Sequence, residues 1–189
     1  MSDIRVLYLT HGIHFGGAEK IIIETVRLAG RFGIDPRVVC LAPGRVYDQL
    51  RGVTSQIHLI PMRSRFDLSV IPSIIRTAHT YTIDVIHTYS VRTNLIGRLC
   101  ALATGRPVVS MVQAPYLRDT NETLQPKRLN ALVDASTRGL TSCFVTVNKR
   151  LASELVDAGV PFTKVRTIYN GVEIPDGQAP RADDEPLSS

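Results

Sequence analysis

The stretch Ile4-Arg5-Val6-Leu7-Tyr8-Leu9-Thr10-His11-Gly12-Ile13-His14-Phe15-Gly16-Gly17-Ala18-Glu19-Lys20 decides the fold of this chain. It opens with a short apolar, partly β-branched run, which predicts a strand over Ile4 to Leu9. Two adjacent glycines, Gly16 and Gly17, stand just before a run of apolar residues at helical spacing that begins at Ile21. A strand that passes through a glycine turn into a helix is typical of α/β proteins with a parallel sheet.

The same order of strand and helix continues along the chain. Further strands are predicted over residues 37–41, 56–60, 85–88, 107–112, 143–147 and 165–169. Four stripes of apolar residues at helical spacing are predicted to form the core sides of helices: Ile21, Ile22, Val26 and Ala29; Leu68, Ile71, Ile75 and Ala78; Val91, Leu95, Leu99 and Leu102; and Leu151, Leu155 and Ala158. We therefore predict an α/β domain with a single Rossmann-like open parallel sheet of about seven strands and helices on both faces. This domain is expected to cover residues 1–175, and residues 176–189 are expected to be a polar linker or disordered tail.

Residues at the expected helix ends agree with this assignment. Ser90 and Asn148 stand where N-caps should precede two of the helices. Gly159 stands where a left-handed residue should end the last helix. Pro72 is expected in a first helical turn, capped by Asp67 or Ser69.

Length and composition indicate one soluble domain. The chain has 189 residues, of which 44% are apolar, which suffices for one well-buried core. No window approaches 18 consecutive apolar residues and the N-terminus leads directly into a strand, so we expect neither a membrane span nor a signal peptide, and a cytoplasmic protein. The cysteines Cys40, Cys100 and Cys143 are odd in number and lie in apolar runs, which predicts reduced packing residues.

The charge of the chain is unevenly distributed. Residues 176–189 hold one arginine and four acidic residues, so the tail carries −3 of the overall +5 and residues 1–175 carry +8. A basic surface attracts phosphorylated substrates, anionic lipid head groups or nucleic acid. The arginines here are scattered and lack interleaved aromatic residues, so nucleic acid is not the expected partner.

The turn that contains Gly16 and Gly17 could hold an anion, because the free N–H groups and the positive dipole at a helix N-terminus favour negative charge. It matches neither the dinucleotide fingerprint nor the P-loop. A tight turn without a ligand explains two glycines equally well. His11 and His14 have no third ligand at a helpful spacing, so no metal site is predicted.

Several short segments, in chain order, resemble motifs of one enzyme family. They are Gly16-Gly17-Ala18-Glu19, Asp84-Val85-Ile86-His87-Thr88-Tyr89-Ser90, Pro107-Val108-Val109-Ser110-Met111-Val112-Gln113-Ala114, Cys143-Phe144-Val145-Thr146-Val147-Asn148 and the final Asn170-Gly171-Val172. Together they resemble the N-terminal domain of the family 4 type of retaining glycosyltransferases, which have the two-domain GT-B fold. The resemblance covers residues 4 to about 175.

This resemblance implies a function. The chain would be the acceptor-side half of an enzyme that moves a sugar from a nucleoside diphosphate sugar to a hydroxyl acceptor in glycan or glycolipid synthesis, with no further cofactor. Gly16 and Gly17 would lie beside the donor phosphate. Gln113 would lie near the transferred sugar, at a position where many family members have a histidine, and glutamine cannot carry a proton at neutral pH.

Ligands of open α/β sheets gather at the carboxyl ends of strands. The candidates for the acceptor side are therefore His14, Tyr89, Ser90, Asn148 and Tyr116, the last in a predicted long loop over residues 114–126. His87 also lies at a predicted strand end, where we expect a satisfied, partly buried imidazole in preference to a catalytic base.

The second domain of such enzymes carries two glutamates eight positions apart, and no two glutamates of this chain have that spacing. The resemblance therefore implies a missing C-terminal Rossmann-like domain, supplied in cis or in trans, and a sugar or lipid-linked acceptor. Two alternatives stay open: a non-catalytic module that docks with a separate catalytic domain, and a general Rossmann nucleotide-binding domain. The basic surface suggests peripheral contact with an anionic membrane at its inner face, and an ordinary solvated surface explains it equally well.

Overall fold

The structure of the chain, a computed structural model, describes residues 3–12, 16–64, 67–113 and 127–171, without the side chains of Ala18, Val91 and residues 127–131. The strands are β1 Ile4–Thr10, β2 Ile34–Cys40, β3 Ile57–Leu59, β4 Val85–Thr88, β5 Val108–Val112, β6 Cys143–Thr146 and β7 Val165–Thr167. The α-helices are α1 Gly17–Leu28, α2 Arg45–Val53, α3 Ile71–Thr80, α4 Val91–Thr104, α5 Lys127–Thr137 and α6 Lys149–Asp157.

All seven strands form one parallel sheet in the order β3-β2-β1-β4-β5-β6-β7. The predicted fold class is confirmed, and each predicted strand is present within a few residues of its expected bounds. Two helices, α2 and α5, were not anticipated from the sequence. The expected tail over 176–189 lies outside the described residues.

Strand β1 is the centre of the sheet. It pairs with β2 from Ile4 opposite Ile34 to Thr10 opposite Cys40, and with β4 from Val6 opposite Val85 onward. Because successive strand residues point to opposite faces, Leu7 of β1 joins the core under α3 and α4, and Tyr8 joins the core under α1 and α2.

The predicted caps are present. The side chain of Ser90 accepts a hydrogen bond from the N–H of Thr93 at 3.3 Å, and that of Asn148 accepts one from Leu151 at 2.9 Å. Gly159 follows α6 with φ +89°, in the left-handed region expected there. Pro72 lies in the first turn of α3, and Asp67 caps the short 3-10 turn before it.

The predicted core face of α4 is wrong. Leu95 and Leu99 are only half-buried and Leu102 is 67% exposed, whereas Ile96 and Cys100 pack into the core. The helix is apolar around most of its circumference, so spacing alone could not identify the buried side. A polar residue, Arg98, is fully buried on α4 and pairs with α5.

Two further observations concern the chain as a whole. Cys40 and Cys100 are buried and Cys143 is half-buried, which agrees with their predicted role as packing residues. Among the described residues, no helix is both long and apolar enough to span a membrane.

Candidate functional site

The strand order creates a crevice at the carboxyl edge of the sheet. The chain leaves β1 toward β2 on one side, and β4 lies beside β1 on the other side. The loops after β1 and β4 therefore diverge, and in open α/β sheets such a switch point is where ligands bind. The candidate site is the set of residues that follow β1, β4, β5 and β6 along this edge.

The turn after β1 depends on Gly12, which the sequence reading did not single out. Gly12 has φ +85°, and a β-carbon there would lie 2.4 Å from the sulfur of Cys40 at the end of β2. Gly44 in the next loop has φ +147°, and its β-carbon would lie 3.3 Å from the carbonyl oxygen of Gly12. Both loops are thus packed closely against each other by glycine backbone. A glycine two residues after a buried strand was the sequence signal for this contact.

The N-terminus of α1 faces the same edge, and Gly16 and Gly17 are both exposed there. The N–H of Gly16 donates to the carboxylate of Glu19 at 2.9 Å, and the first backbone bond of the helix runs from the N–H of Lys20 to the carbonyl of Gly16. The N–H groups of residues 17–19 come before that bond in the chain. They are the donors that a helix N-terminus leaves unused in its own backbone hydrogen bonds. Part of the predicted anion site is therefore occupied by the protein's own carboxylate.

Gly17 has no positive φ, and its β-carbon would meet nothing within 4 Å. A larger residue at this position is therefore compatible with the fold. The tight-turn explanation of the glycine pair has no steric support at Gly17.

A side-chain bond joins the loop after β1 to α4. A guanidinium nitrogen of Arg92 lies 2.9 Å from Nε2 of His11. Because a guanidinium only donates, Nε2 accepts, and the imidazole of His11 is neutral with its proton on Nδ1. Neither Arg92 nor this role of His11 was predicted.

Two of the acceptor-side candidates already have structural roles. Ser90 exchanges hydrogen bonds with Thr93 as the N-cap of α4, with the N–H of Ser90 donating to the hydroxyl of Thr93 at 2.9 Å. The carboxamide oxygen of Asn148 caps α6 in the same way, and the residue is exposed. Both caps place polar side chains at the carboxyl edge.

Tyr89 lies in a buried aromatic cluster. Its ring centroid is 4.7 Å from that of His87, and the centroid of Tyr8 is 5.4 Å from that of His87. The hydroxyl of Tyr89 hydrogen-bonds with the side chain of Thr25 on α1. Burial raises the pKa of Tyr8 to about 12 and also raises the pKa of Tyr89, so both phenols are neutral at physiological pH.

His87 is half-buried within that cluster, and its Nε2 atom is buried without a hydrogen-bond partner in the described part of the chain. The expected structural imidazole is present, but it is not fully satisfied. Burial lowers its pKa from 6.5 to about 4, because the charged form cannot be hydrated there. A neutral imidazole with so low a pKa is a poor proton donor at neutral pH.

Protonation of His87 should make the fold sensitive to acid. The folded-state pKa is depressed, so the unfolded state binds the proton first and stability falls as the pH drops from 6.5 to about 4. The shift corresponds to a loss of about 3 kcal/mol of unfolding free energy at the acid end. Urea unfolding at a series of pH values measures it. The variant His87→Phe, which keeps a ring beside Tyr8, should lose most of this dependence.

Hydrogen bonds lower the pKa of the Asp67 and Asp84 carboxyls below 3.8, so both also reduce stability as the pH falls below about 5, but they do so equally in wild type and His87→Phe and cancel in the comparison. Equal slopes for wild type and His87→Phe between pH 6.5 and 4 would show that His87 is not the titrating group.

Gln113 follows β5 and is half-buried, and its amide nitrogen is buried without a hydrogen-bond partner among the described residues. A buried amide without a partner is costly, and it calls for an explanation. β5 is the neighbour of β4, so Gln113 and Ser90 end strands about 4.8 Å apart. His14 and Tyr116 lie outside the described residues.

The comparison with protein families identifies the chain. Residues 15–174, from the turn after β1 to the segment that follows β7, match the sequence model of Glycosyltransferase Family 4. The chain belongs to glycosyltransferase family 4. No curated protein sequence shows a significant match to it.

Several solved structures share the fold of this family 4 domain. HepE (Alr3699) of Anabaena, in complex with UDP and glucose, has a TM-score of 0.72 and 19% identity over 90% of this chain. The apo form of the lipopolysaccharide outer core galactosyltransferase WaaB has a TM-score of 0.69 and 11% identity over 97% of the chain. A glycosyltransferase of Rickettsia africae has a TM-score of 0.68 and 18% identity over 91%.

The family 4 chain covers 45% of the HepE chain, 50% of WaaB and 44% of the Rickettsia protein. It therefore spans about half the length of these structures.

In the described ranges, no group of three or more His, Cys, Asp or Glu residues could hold a metal ion.

Proposed function

We propose that this chain is the acceptor-side half of a retaining glycosyltransferase that transfers a sugar from a nucleoside diphosphate sugar to a hydroxyl acceptor. The observation that carries the proposal is the family match, which covers residues 15–174 and so includes every strand after β1. HepE was solved with UDP and glucose, and we extend that class of donor to this chain as part of the proposal.

The geometry of the crevice supports this assignment. The orphan N–H groups at the start of α1 provide partial positive charge for a diphosphate. Arg92 adds a cation at the start of α4, already held in place by His11. Gln113, directly after the strand next to β4, offers a buried amide nitrogen without a partner among the described residues, and a sugar hydroxyl would satisfy it.

Catalysis in such a crevice depends on support for the leaving diphosphate and on positioning of the acceptor. We assign no residue of this chain as nucleophile or base. His87 is excluded as a proton donor at neutral pH by its pKa of about 4. We propose that Asn148, whose amide nitrogen is not used in the cap of α6, lies on the acceptor side.

The acceptor is proposed to be a sugar or a lipid-linked sugar, met at the inner face of an anionic membrane. The support is the charge of +8 over residues 1–175. A soluble acceptor is the alternative, and co-sedimentation with anionic vesicles at low and high salt separates the two because screening weakens surface contacts.

Replacing Gly17 with Val tests the phosphate contact in the enzyme with both halves present. A β-carbon at position 17 has open space around it, so the variant should fold normally, but a branched side chain would obstruct an anion at the helix start. We expect donor affinity to fall at least about tenfold, the equivalent of about 1.4 kcal/mol. Gly52→Val is the matched control, since a β-carbon at Gly52 also meets nothing within 4 Å. Gly52 lies in the last turn of α2, whereas Gly17 lies in the first turn of α1. Equal donor affinities for the two variants would leave Gly17 as a plain turn residue.

A thermal-shift panel tests the donor class. The chain together with its second half is heated with nucleoside diphosphate sugars and, in parallel, with nicotinamide dinucleotides. A true donor present at 100 times its dissociation constant stabilises the folded state by about 2.7 kcal/mol. Stabilisation by dinucleotides alone would favour a general Rossmann nucleotide-binding domain. Sugar-nucleotide binding without transfer to any acceptor would favour a non-catalytic module.

A further inference from the structure

The helices that begin at the carboxyl edge of the sheet differ in the charge of their first turns. α1 has Glu19 there, and α2 balances Arg45 with Asp48. Acidic residues are common at this position, because the positive end of the helix dipole favours negative charge. The first turns of α4 and α6, which follow β4 and β6, contain no acidic residue.

Basic residues stand in these two first turns. Arg92 is the second residue of α4, and Lys149 and Arg150 are the first two residues of α6. Arg150 pairs with Glu154 on its own helix at 3.1 Å, whereas Lys149 is exposed and forms no ion pair within the described part of the chain. The helix dipole disfavours a cation at this position, and residues that break a local rule in this way are typical of functional sites.

The side-chain acceptors near these helix starts are engaged within the protein. Nε2 of His11 accepts from Arg92 at 2.9 Å. The hydroxyl of Ser90 caps α4 with a bond of 3.3 Å, and Oδ1 of Asn148 caps α6 with a bond of 2.9 Å. At each of these three positions the acceptor atom is therefore already used.

The groups left over beside α6 are donors. The amide nitrogen of Asn148 is not used in the cap, and Lys149 follows it directly. Gln113 comes directly after β5, the strand about 4.8 Å from β6, and its amide nitrogen is buried without a partner among the described residues. Amide nitrogens and ammonium groups donate hydrogen bonds and accept none. This part of the edge therefore offers positive charge together with N–H groups.

This inventory of donors selects the chemistry of the ligand. A neutral sugar hydroxyl brings an oxygen that can accept, but also a proton that needs an acceptor. A phosphate brings three acceptor oxygens and negative charge, and charge-assisted hydrogen bonds are about twice as strong as neutral ones. The donors of Asn148 and Gln113 beside the charge of Lys149 therefore fit a phosphate better than a sugar hydroxyl alone.

We propose that the acceptor carries a phosphate group, which Asn148 and Lys149 hold at the start of α6 with Gln113 beside them. The proposal rests on the proposed function, because that function makes this part of the edge the acceptor side. It adds the substrate class: the hydroxyl that receives the sugar belongs to a phosphorylated molecule. Two sources present the same oxyanion, a soluble sugar phosphate and the phosphate of a lipid-linked acceptor.

Binding of defined probes to the 189-residue chain tests the phosphate group. Isothermal titration calorimetry at low salt compares glucose 6-phosphate with glucose, and farnesyl phosphate with farnesol. We expect one of the phosphorylated probes, or both, to bind at least about tenfold more tightly than the neutral counterpart. A larger gain for glucose 6-phosphate would indicate a soluble acceptor, and a larger gain for farnesyl phosphate a lipid-linked one. No gain for either probe would refute the proposal.

The variant Asn148→Asp tests the sign of the charge that the site accepts. Asp caps a helix as well as Asn does, and its charge suits the helix dipole, so the variant should fold. The change replaces the free amide donor with an oxygen that repels a phosphate but still accepts from a neutral hydroxyl. We expect binding of the phosphorylated probe to fall at least about tenfold. Lys149→Met removes one exposed charge and should lower the same affinity at least about fivefold.

Gln56→Glu is the matched control. It makes the same change from amide to carboxylate directly before β3, at the opposite edge of the sheet, and should change binding less than about twofold because salt and distance screen it. Circular dichroism checks the fold of each variant. Equal losses for Gln56→Glu and Asn148→Asp would reduce the effect to overall charge and overturn the proposal, as would unchanged binding by folded Asn148→Asp.

The binding experiment needs no turnover, so it separates this proposal from the proposed function. Phosphate binding that depends on Asn148, in a protein that transfers no sugar even with both halves present, would refute the proposed function alone. Sugar transfer to phosphorylated and neutral acceptors with equal KM would refute only the phosphate group.

Discussion

The variant Arg98→Met is expected to destabilise the domain by about 3 kcal/mol, because it breaks a buried ion pair and leaves the carboxylate of Asp134 with only its longer pair to Arg138, at 3.3 Å. The side chain of Arg98 is 1% exposed and that of Asp134 is 8% exposed, and their nitrogen and oxygen lie 2.6 Å apart. Arg98 also donates to the hydroxyls of Thr141 at 2.8 Å and Thr137 at 3.1 Å. Removing it therefore takes from Asp134 the shorter of its two ion pairs and takes the guanidinium donor from the buried hydroxyl of Thr141, between α4 and α5.

The double variant Arg98→Met with Asp134→Leu should recover a large part of this loss, since a buried ion pair replaced by apolar residues is often nearly neutral. Arg150→Ala is the matched surface control: Arg150 is 79% exposed and its pair with Glu154 spans 3.1 Å along one helix. We expect that change to cost at most about 0.5 kcal/mol. Urea unfolding followed by circular dichroism measures all three, and a loss below about 1 kcal/mol for Arg98→Met would show that the pair does not hold α5 in place.

The sheet could be predicted from the sequence because its signal is local. Each strand is a short apolar run between turn residues, and the parallel order follows from the alternation with helices. The caps at Ser90 and Asn148 were predictable for the same reason, since a cap acts within three residues of its own position.

The buried side of α4 could not be predicted, because the decisive contact is not local. Arg98 and Asp134 are 36 positions apart, and only the packing of α5 on α4 makes an arginine a core residue. The leucine stripe over 95–102 satisfied the helical period equally well, and nothing in the sequence ranked one face above the other.

The same limit applies to the site. The Gly16-Gly17 turn and Gln113 were found because they belong to recognisable local patterns, and their proposed ligand contacts remain predictions. The bond between His11 and Arg92 joins residues 81 positions apart, and the contact between Gly12 and Cys40 depends on how two neighbouring strands end. Contacts between residues that are far apart in the chain leave no local pattern in a single sequence.

A second large effect is expected on the rate of sugar transfer when the second half of the enzyme is absent. The 189-residue chain by itself should transfer sugar at least about 10³-fold more slowly than the same chain with its second half, because loss of even one preorganised charge-stabilising donor costs an enzyme 10²–10³-fold. The crevice here has a single wall: the start of α1 and Arg92 offer positive charge from one side, and the chain has no pair of glutamates eight positions apart. One wall neither neutralises a diphosphate fully nor excludes water from the reacting sugar.

The measurement is release of nucleoside diphosphate in the presence of an acceptor, with the two-half protein as the positive control and Gly17→Val in that protein as the matched impaired enzyme. Addition of the separately produced second half to the 189-residue chain should restore activity if the halves associate. Transfer by the purified chain alone, at a rate within tenfold of the two-half protein, would mean that this single sheet holds a complete active site, and both the acceptor-side assignment and the need for a second half would have to be abandoned.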